Sequence, residues 1–152
     1  MTRPTALLAV IALAAMPACR ILEAPAEDGL LTFEVREVVW DLPSPQIVLF
    51  VSDDKIYPCL NYLIDNDLSV QNHSIRVAMS GAVRPPNVCL DAIGPAQIRS
   101  PLPVVEGKYT LEFTRAGLTD RYVLTVTASA IQITTLETHF THPNALRFPR
   151  AA

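Results

Sequence analysis

The sequence is poor in the signals that most directly reveal a function. Charged residues make up only 18% of the 152 positions and the formal net charge is −3, so there is no basic footprint for a nucleic-acid backbone. No apolar run reaches the ~20 residues a helix needs to span a bilayer. No G-x-S-x-G motif offers a hydrolase nucleophile, and no D-x-D-x-D-G spacing offers an EF-type calcium loop. After the first 18 residues no segment shows the 3.6-residue period of a helix, and no internal repeat is visible. Glycine is scarce, five residues against thirteen prolines, which points to the stiff connections common in all-β domains. Half of the residues are hydrophobic, so the chain is core-forming and long enough for one domain.

What is present is alternation. In Gly107 to Thr127, Tyr109, Leu111 and Phe113 alternate with polar residues, and Tyr122, Leu124 and Val126 alternate with Arg121, Val123 and Thr125. Side chains of a strand point to opposite faces with period two, so each run is a strand with one apolar face. The break from Arg115 to Asp120 contains Gly117, which supplies the positive φ of a tight hairpin. Around this hairpin, further strands are expected over 30–40 (Phe33, Val35 and Val39 inward), 46–51 (central), 60–70 (Leu60, Tyr62, Ile64, Leu68 and Val70 inward) and 74–83 (Ile75, Val77, Met79 and Val83 inward). Residues 97–104, with Pro101 and Pro103, read as an edge strand. A last strand covers 130–136, and 137–152 reads as an irregular tail.

Seven to eight short strands at spacings near ten residues predict an all-β fold, a single antiparallel β-sandwich over 30–136. The segment Gly107-Lys108-Tyr109-Thr110-Leu111 resembles the G-x-Y-x-L strand opening of immunoglobulin-like and fibronectin type III-like bacterial domains, which implies an immunoglobulin-like sandwich.

The N-terminus reads as a signal peptide over 1–18: a positive start at Arg3, then the apolar run Ala6 to Met16. Met16-Pro17-Ala18-Cys19 resembles the bacterial lipobox, with Met16 where leucine is usual. The resemblance implies that Cys19 is acylated and becomes the first mature residue, with 19–29 a lipidated, polar tether. The partner so implied is a membrane, held through the lipid anchor, and the location is the bacterial cell envelope, at the outer membrane or a periplasmic face. The rival is cleavage at Ala24-Pro25-Ala26, which releases a soluble secreted or periplasmic chain starting near Glu27.

Three cysteines are an odd number for an exported chain. With Cys19 either acylated or removed, Cys59 and Cys89 remain as a pair flanking the turn at residues 71–73. A bridge between them would close the open end of that hairpin, and it suits an oxidising compartment. It would not be the inter-sheet disulfide of antibody domains, since no tryptophan lies between the two.

Other candidates have plainer readings. His139 and His142 are three apart, which in a strand places them on opposite faces, and no third metal ligand is evident. Asp65 and Asp67 fall on a solvent face, Asp53-Asp54 in a loop, and Asn72-His73-Ser74 in a turn. No catalytic residue, metal site or cofactor is assigned. The Cys89 loop, through Asp91, Gly94 and Pro95, is the candidate contact surface for a protein partner. The expected function is therefore that of a non-catalytic cell-envelope lipoprotein presenting a binding or accessory module near the membrane. The alternatives are a peptidase inhibitor and a structural subunit of an envelope assembly using 97–104 as its contact.

Overall fold

The computed structural model describes residues 29–39, 44–83 and 88–150. The expected signal peptide, the lipobox-like segment with Cys19 and nearly all of the expected tether lie outside the described residues. Ten strands form: β1 (Leu31–Val38), β2 (Gln46–Ser52), β3 (Leu63–Gln71), β4 (Ser74–Val83), β5 (Gln97–Pro101), β6 (Gly107–Arg115), β7 (Leu118–Val126), β8 (Ala130–Glu137), β9 (Thr141–Pro143) and β10 (Arg147–Pro149). Among the described residues there is no helix. The all-β expectation stands at that level.

The strands join into one sheet in the order β10-β8-β7-β6-β4-β3-β5-β2-β1-β9, curled like half a barrel. The sheet is mixed, not antiparallel throughout. β4 runs parallel to β6, β1 to β9, and β3 to β5. The curl brings strands far apart in this order into one core. The Phe33 ring of β1 lies 4.8 Å from both Phe113 of β6 and Tyr122 of β7. Leu49, Ile75, Val77, Leu111 and Leu124 fill the space around these rings and are fully buried.

The β6–β7 hairpin has the expected alternation but a tighter turn. Ala116 (φ 49°) and Gly117 (φ 83°) form a two-residue turn with positive φ at both positions, the form whose twist matches paired strands. The ladder therefore begins at Arg115↔Leu118. Leu118 to Asp120, expected in the break, belong to β7, and Asp120 takes an inward position. The β3–β4 hairpin turns the same way at Asn72 (φ 46°) and His73 (φ 65°).

Three further expectations are corrected. β5 is not an edge strand: it pairs along its length with β2 and at one residue, Leu63↔Gln97, with β3. Pro101 ends the strand, and Leu102 N–H still donates to the Ile47 carbonyl (2.8 Å). The segment after Leu136 is not irregular, since it carries β9 and β10, which pair with β1 and β8. Val39, Leu60 and Val83 are exposed rather than inward. Val39 lies past the end of β1, and a register shift between Ile64 and Asn66 breaks the phase of β3 against β4. Glu37 holds the inward position after Leu31, Phe33 and Val35. Its side chain, 4% exposed, is met by Arg150 through Nε (3.0 Å) and Nη2 (2.9 Å).

Candidate functional site: the disulfide-stapled end

The registers give the sheet two distinct ends. At one end lie the starts of β1, β3, β5 and β7 and the ends of β2, β4, β6 and β8. The chain enters the fold there. Leu31 N–H donates to the Phe140 carbonyl, Arg115 Nη2 donates to the Gly29 carbonyl (3.1 Å), and the space a Cβ would fill at Gly29 is taken by the Asp54 carboxylate.

Two connections meet at this end, residues 53–62 and 88–96, and they are knitted together. Cys59 and Cys89 form a disulfide with their Cα atoms 5.2 Å apart. It joins the segment before β3 to the segment after β4, so it closes the open end of the β3–β4 hairpin. Asn61 bonds both ways, its Nδ2 donating to the Val88 carbonyl (2.6 Å) and its Oδ1 accepting from Leu90 N–H (3.1 Å). Tyr57 and Gly94 exchange backbone bonds (2.8 and 3.2 Å). Asp53 accepts from Ala96 N–H (2.9 Å) and from the Tyr57 hydroxyl (2.8 Å). Burial first, and then the bond to Asp53, push the Tyr57 hydroxyl up to about 12, so it remains a donor at any physiological pH. Tyr57 also stacks on Tyr62 with ring centroids 4.5 Å apart.

This braced end carries exposed apolar side chains. Ten of the thirteen large apolar side chains exposed among the described residues lie here. Ile93 (73% exposed), Ile56 (67%), Val88, Leu90, Leu63 and Leu60 stand on the two knitted connections and the start of β3. Leu30, Val83, Leu118 and Leu136 stand at the strand ends around them. The opposite end has Val39 and Val105.

The expected contact loop divides accordingly. Asp91 is exposed and Pro95 half-buried, but Gly94 is buried against Leu60, whose Cδ1 would lie 2.6 Å from an added Cβ. Gly94 is thus a packing position. The groups that reach solvent beside Asp91 are Leu90 and Ile93, which sequence reading passed over. Their only signal is two large apolar residues in a short loop without alternation.

A second cluster at this end centres on Asp120, fully buried on β7. Its carboxylate accepts from the backbone N–H groups of His139 (2.6 Å), Phe140 (3.0 Å) and Thr141 (2.6 Å) and from the Thr141 hydroxyl (2.6 Å). Burial alone would raise the Asp120 pKa, but these bonds outweigh it and hold the carboxyl below its ordinary value. His139 Nδ1 lies 3.0 Å from Asp120 Oδ1 and 3.1 Å from the Thr119 carbonyl. Both are acceptors, so the ring proton sits on Nδ1. Nε2 lies 3.7 Å from Glu137 Oε1. The Tyr122 hydroxyl donates to the Thr141 carbonyl (2.7 Å), and burial raises its pKa. The cluster is a clamp that fastens the start of β9 to β7.

Among the described residues no three His, Cys, Asp or Glu side chains gather as a metal site would need. No family model matches the chain, no curated protein matches it in sequence, and no solved structure matches it in fold.

Proposed function

We propose that this chain is an exported, non-catalytic module of the bacterial cell envelope, anchored by an acyl group on Cys19, with the disulfide-stapled end as its interaction surface. One observation carries the reading: the point where the chain enters the fold and most of the apolar side chains exposed among the described residues share one end. A disulfide bracing that end suits an oxidising compartment outside the cytoplasm. Residues 19–29, fully extended, reach at most ~35 Å, so an anchor at Cys19 keeps this end close to the membrane.

The architecture is read as a sandwich of the immunoglobulin-like kind, its two leaves meeting at the single pair Leu63↔Gln97. The leaves are β10-β8-β7-β6-β4-β3 and β5-β2-β1-β9, and their inner faces share the Phe33, Phe113 and Tyr122 cluster. The structural-subunit alternative loses its contact surface, because β5 lies inside the sheet. The inhibitor alternative keeps one supporting observation, the exposed Val88 to Ile93 segment stapled by its disulfide.

Intact mass of the protein purified from detergent-solubilised membranes, beside a Cys19→Ala variant, tests the reading. A mature chain beginning at Cys19 with added acyl mass, lost in the variant, is the expected result. A soluble chain beginning near Glu27 would overturn the anchor.

A further inference from the structure

We propose that the disulfide-stapled end is a lipid-docking surface, which rests its apolar side chains in the interfacial layer of the bilayer that holds the anchor. The inference rests on the anchored reading above and names what the interaction surface touches. Large apolar side chains exposed singly are ordinary, but a group of them confined to one end of a fold marks a contact with something apolar. Here the confinement is strong: ten of thirteen lie at one end, and Ile93 and Ile56 are the most exposed of those ten.

The choice of occupant follows from where the chain attaches. The residues that link Cys19 to the fold arrive at Gly29, beside Asp54, two positions from Ile56. A tether of at most ~35 Å attached at this end keeps it within reach of the bilayer. Tethering makes contact intramolecular, so a weak intrinsic affinity of the tip for lipid suffices for occupancy. The backbone also fits a shallow insertion. Leu60 and Leu90 share a backbone bond, Tyr57 and Gly94 exchange two, and Asn61 satisfies Val88 and Leu90. These groups therefore lose little when water is thinned around them. The exposed charges on the same connections, Asp54, Lys55 and Asp91, are mixed in sign, which favours zwitterionic over anionic headgroups.

The test places a single tryptophan at the tip. In a Trp40→Phe background, Ile93→Trp is compared with Val105→Trp, whose side chain is as exposed but lies at the opposite end. Each acylated chain is reconstituted into phosphatidylcholine vesicles, with and without brominated acyl chains, and its acyl mass is verified on the same preparation. The expected result is blue-shifted emission from the Ile93→Trp chain, quenched by bromine and poorly reached by acrylamide, with the Val105→Trp chain unchanged.

With the acyl mass present, an Ile93→Trp chain equally open to acrylamide with and without vesicles would overturn docking and leave the anchored reading intact. Burial of the introduced indole of Ile93→Trp without lipid, rising with protein concentration, would assign the surface to a second copy and overturn docking as well. With no acyl mass, the anchored reading falls by itself, and quenching of the unacylated chain by excess vesicles decides docking separately. In the Cys19→Ala chain, Ile93→Asp should lower partition into the same vesicles roughly tenfold. Equal partition of the two would count against the tip.

Discussion

Asp120→Ala tests whether the C-terminal strands are held by one buried carboxylate. The substitution strands the N–H groups of Phe140 and Thr141 in the interior, together with the half-buried N–H of His139, while the Thr141 hydroxyl keeps the Tyr122 hydroxyl at 2.9 Å. Each orphaned buried donor costs about 1–3 kcal/mol. The three are not additive, because the start of β9 can loosen toward water, so a total loss of about 3–5 kcal/mol is expected. For a domain of this size that corresponds to a fall in Tm on the order of 10 °C. Asp120→Asn keeps one acceptor oxygen but turns an NH2 group toward donors, and should lose about 2–3 kcal/mol.

The pH dependence has a definite sign. The folded pKa of Asp120 lies below its ordinary value of 3.8, so the carboxylate contributes its stability fully above that value. The contribution is lost as pH falls through the lower, folded pKa. Wild-type Tm should therefore drop on acidification below about pH 4, and Asp120→Asn should drop less steeply over the same window. Thermal circular dichroism from pH 2 to 7, with amide hydrogen exchange at residues 139–141, reads both effects. An Asp120→Ala protein within about 2 °C of wild type, with those amides still protected, would refute the clamp.

Two other perturbations follow from the same geometry. Reduction of Cys59–Cys89 opens a loop with a sequence separation of 30 and should cost about 3–4 kcal/mol on the chain-entropy account, with exposed Cys89 giving the reductant access. A Tm unchanged by reductant, with free thiols verified, would contradict it. Arg150→Ala removes two bonds to the Glu37 carboxylate and one to the Thr127 carbonyl (2.7 Å), and should destabilise by about 3 kcal/mol in a urea melt. Glu37→Gln should cost less than Arg150→Ala, because the charge it leaves, on Arg150, is more exposed than the Glu37 carboxylate and keeps its bond to the Thr127 carbonyl, and the reverse order would count against that account.

The elements that could be read from the sequence are those whose signal is local. Tyr109-Leu111-Phe113 and Ile75-Val77-Met79 alternate over whole strands, and both runs are buried as expected. The disulfide followed from counting cysteines and from their placement about the 71–73 turn. Asp120 was hidden because its partners lie 19–21 residues further along the chain, so in sequence it looks like one more polar residue beside a glycine turn. β9 and β10 were hidden because three residues each, ending in Pro143 and Pro149, carry no period. The parallel pairing of β4 with β6 depends on where the chain goes between them, which no local pattern encodes. Leu90 and Ile93 show the converse failure, since a large apolar residue in a short loop has the same letter whether it packs inward or faces solvent.

The bracing of the stapled end bears on why those side chains stay exposed. A flexible loop with Leu and Ile could fold over and bury them, and the hydrophobic effect would favour that. Here the backbone forbids it. Residues 57 and 94 are paired, 60 and 90 share a bond, Asn61 grips 88 and 90, Asp53 grips 57 and 96, and the disulfide fixes 59 to 89. Exposure of Ile93 and Leu90 is thus imposed by a network, with much of the ordering of the segment already done in the folded chain. A surface ordered beforehand loses little conformational entropy on contact, so more of its apolar burial appears as affinity. That is the property the proposed docking of this end on lipid calls for.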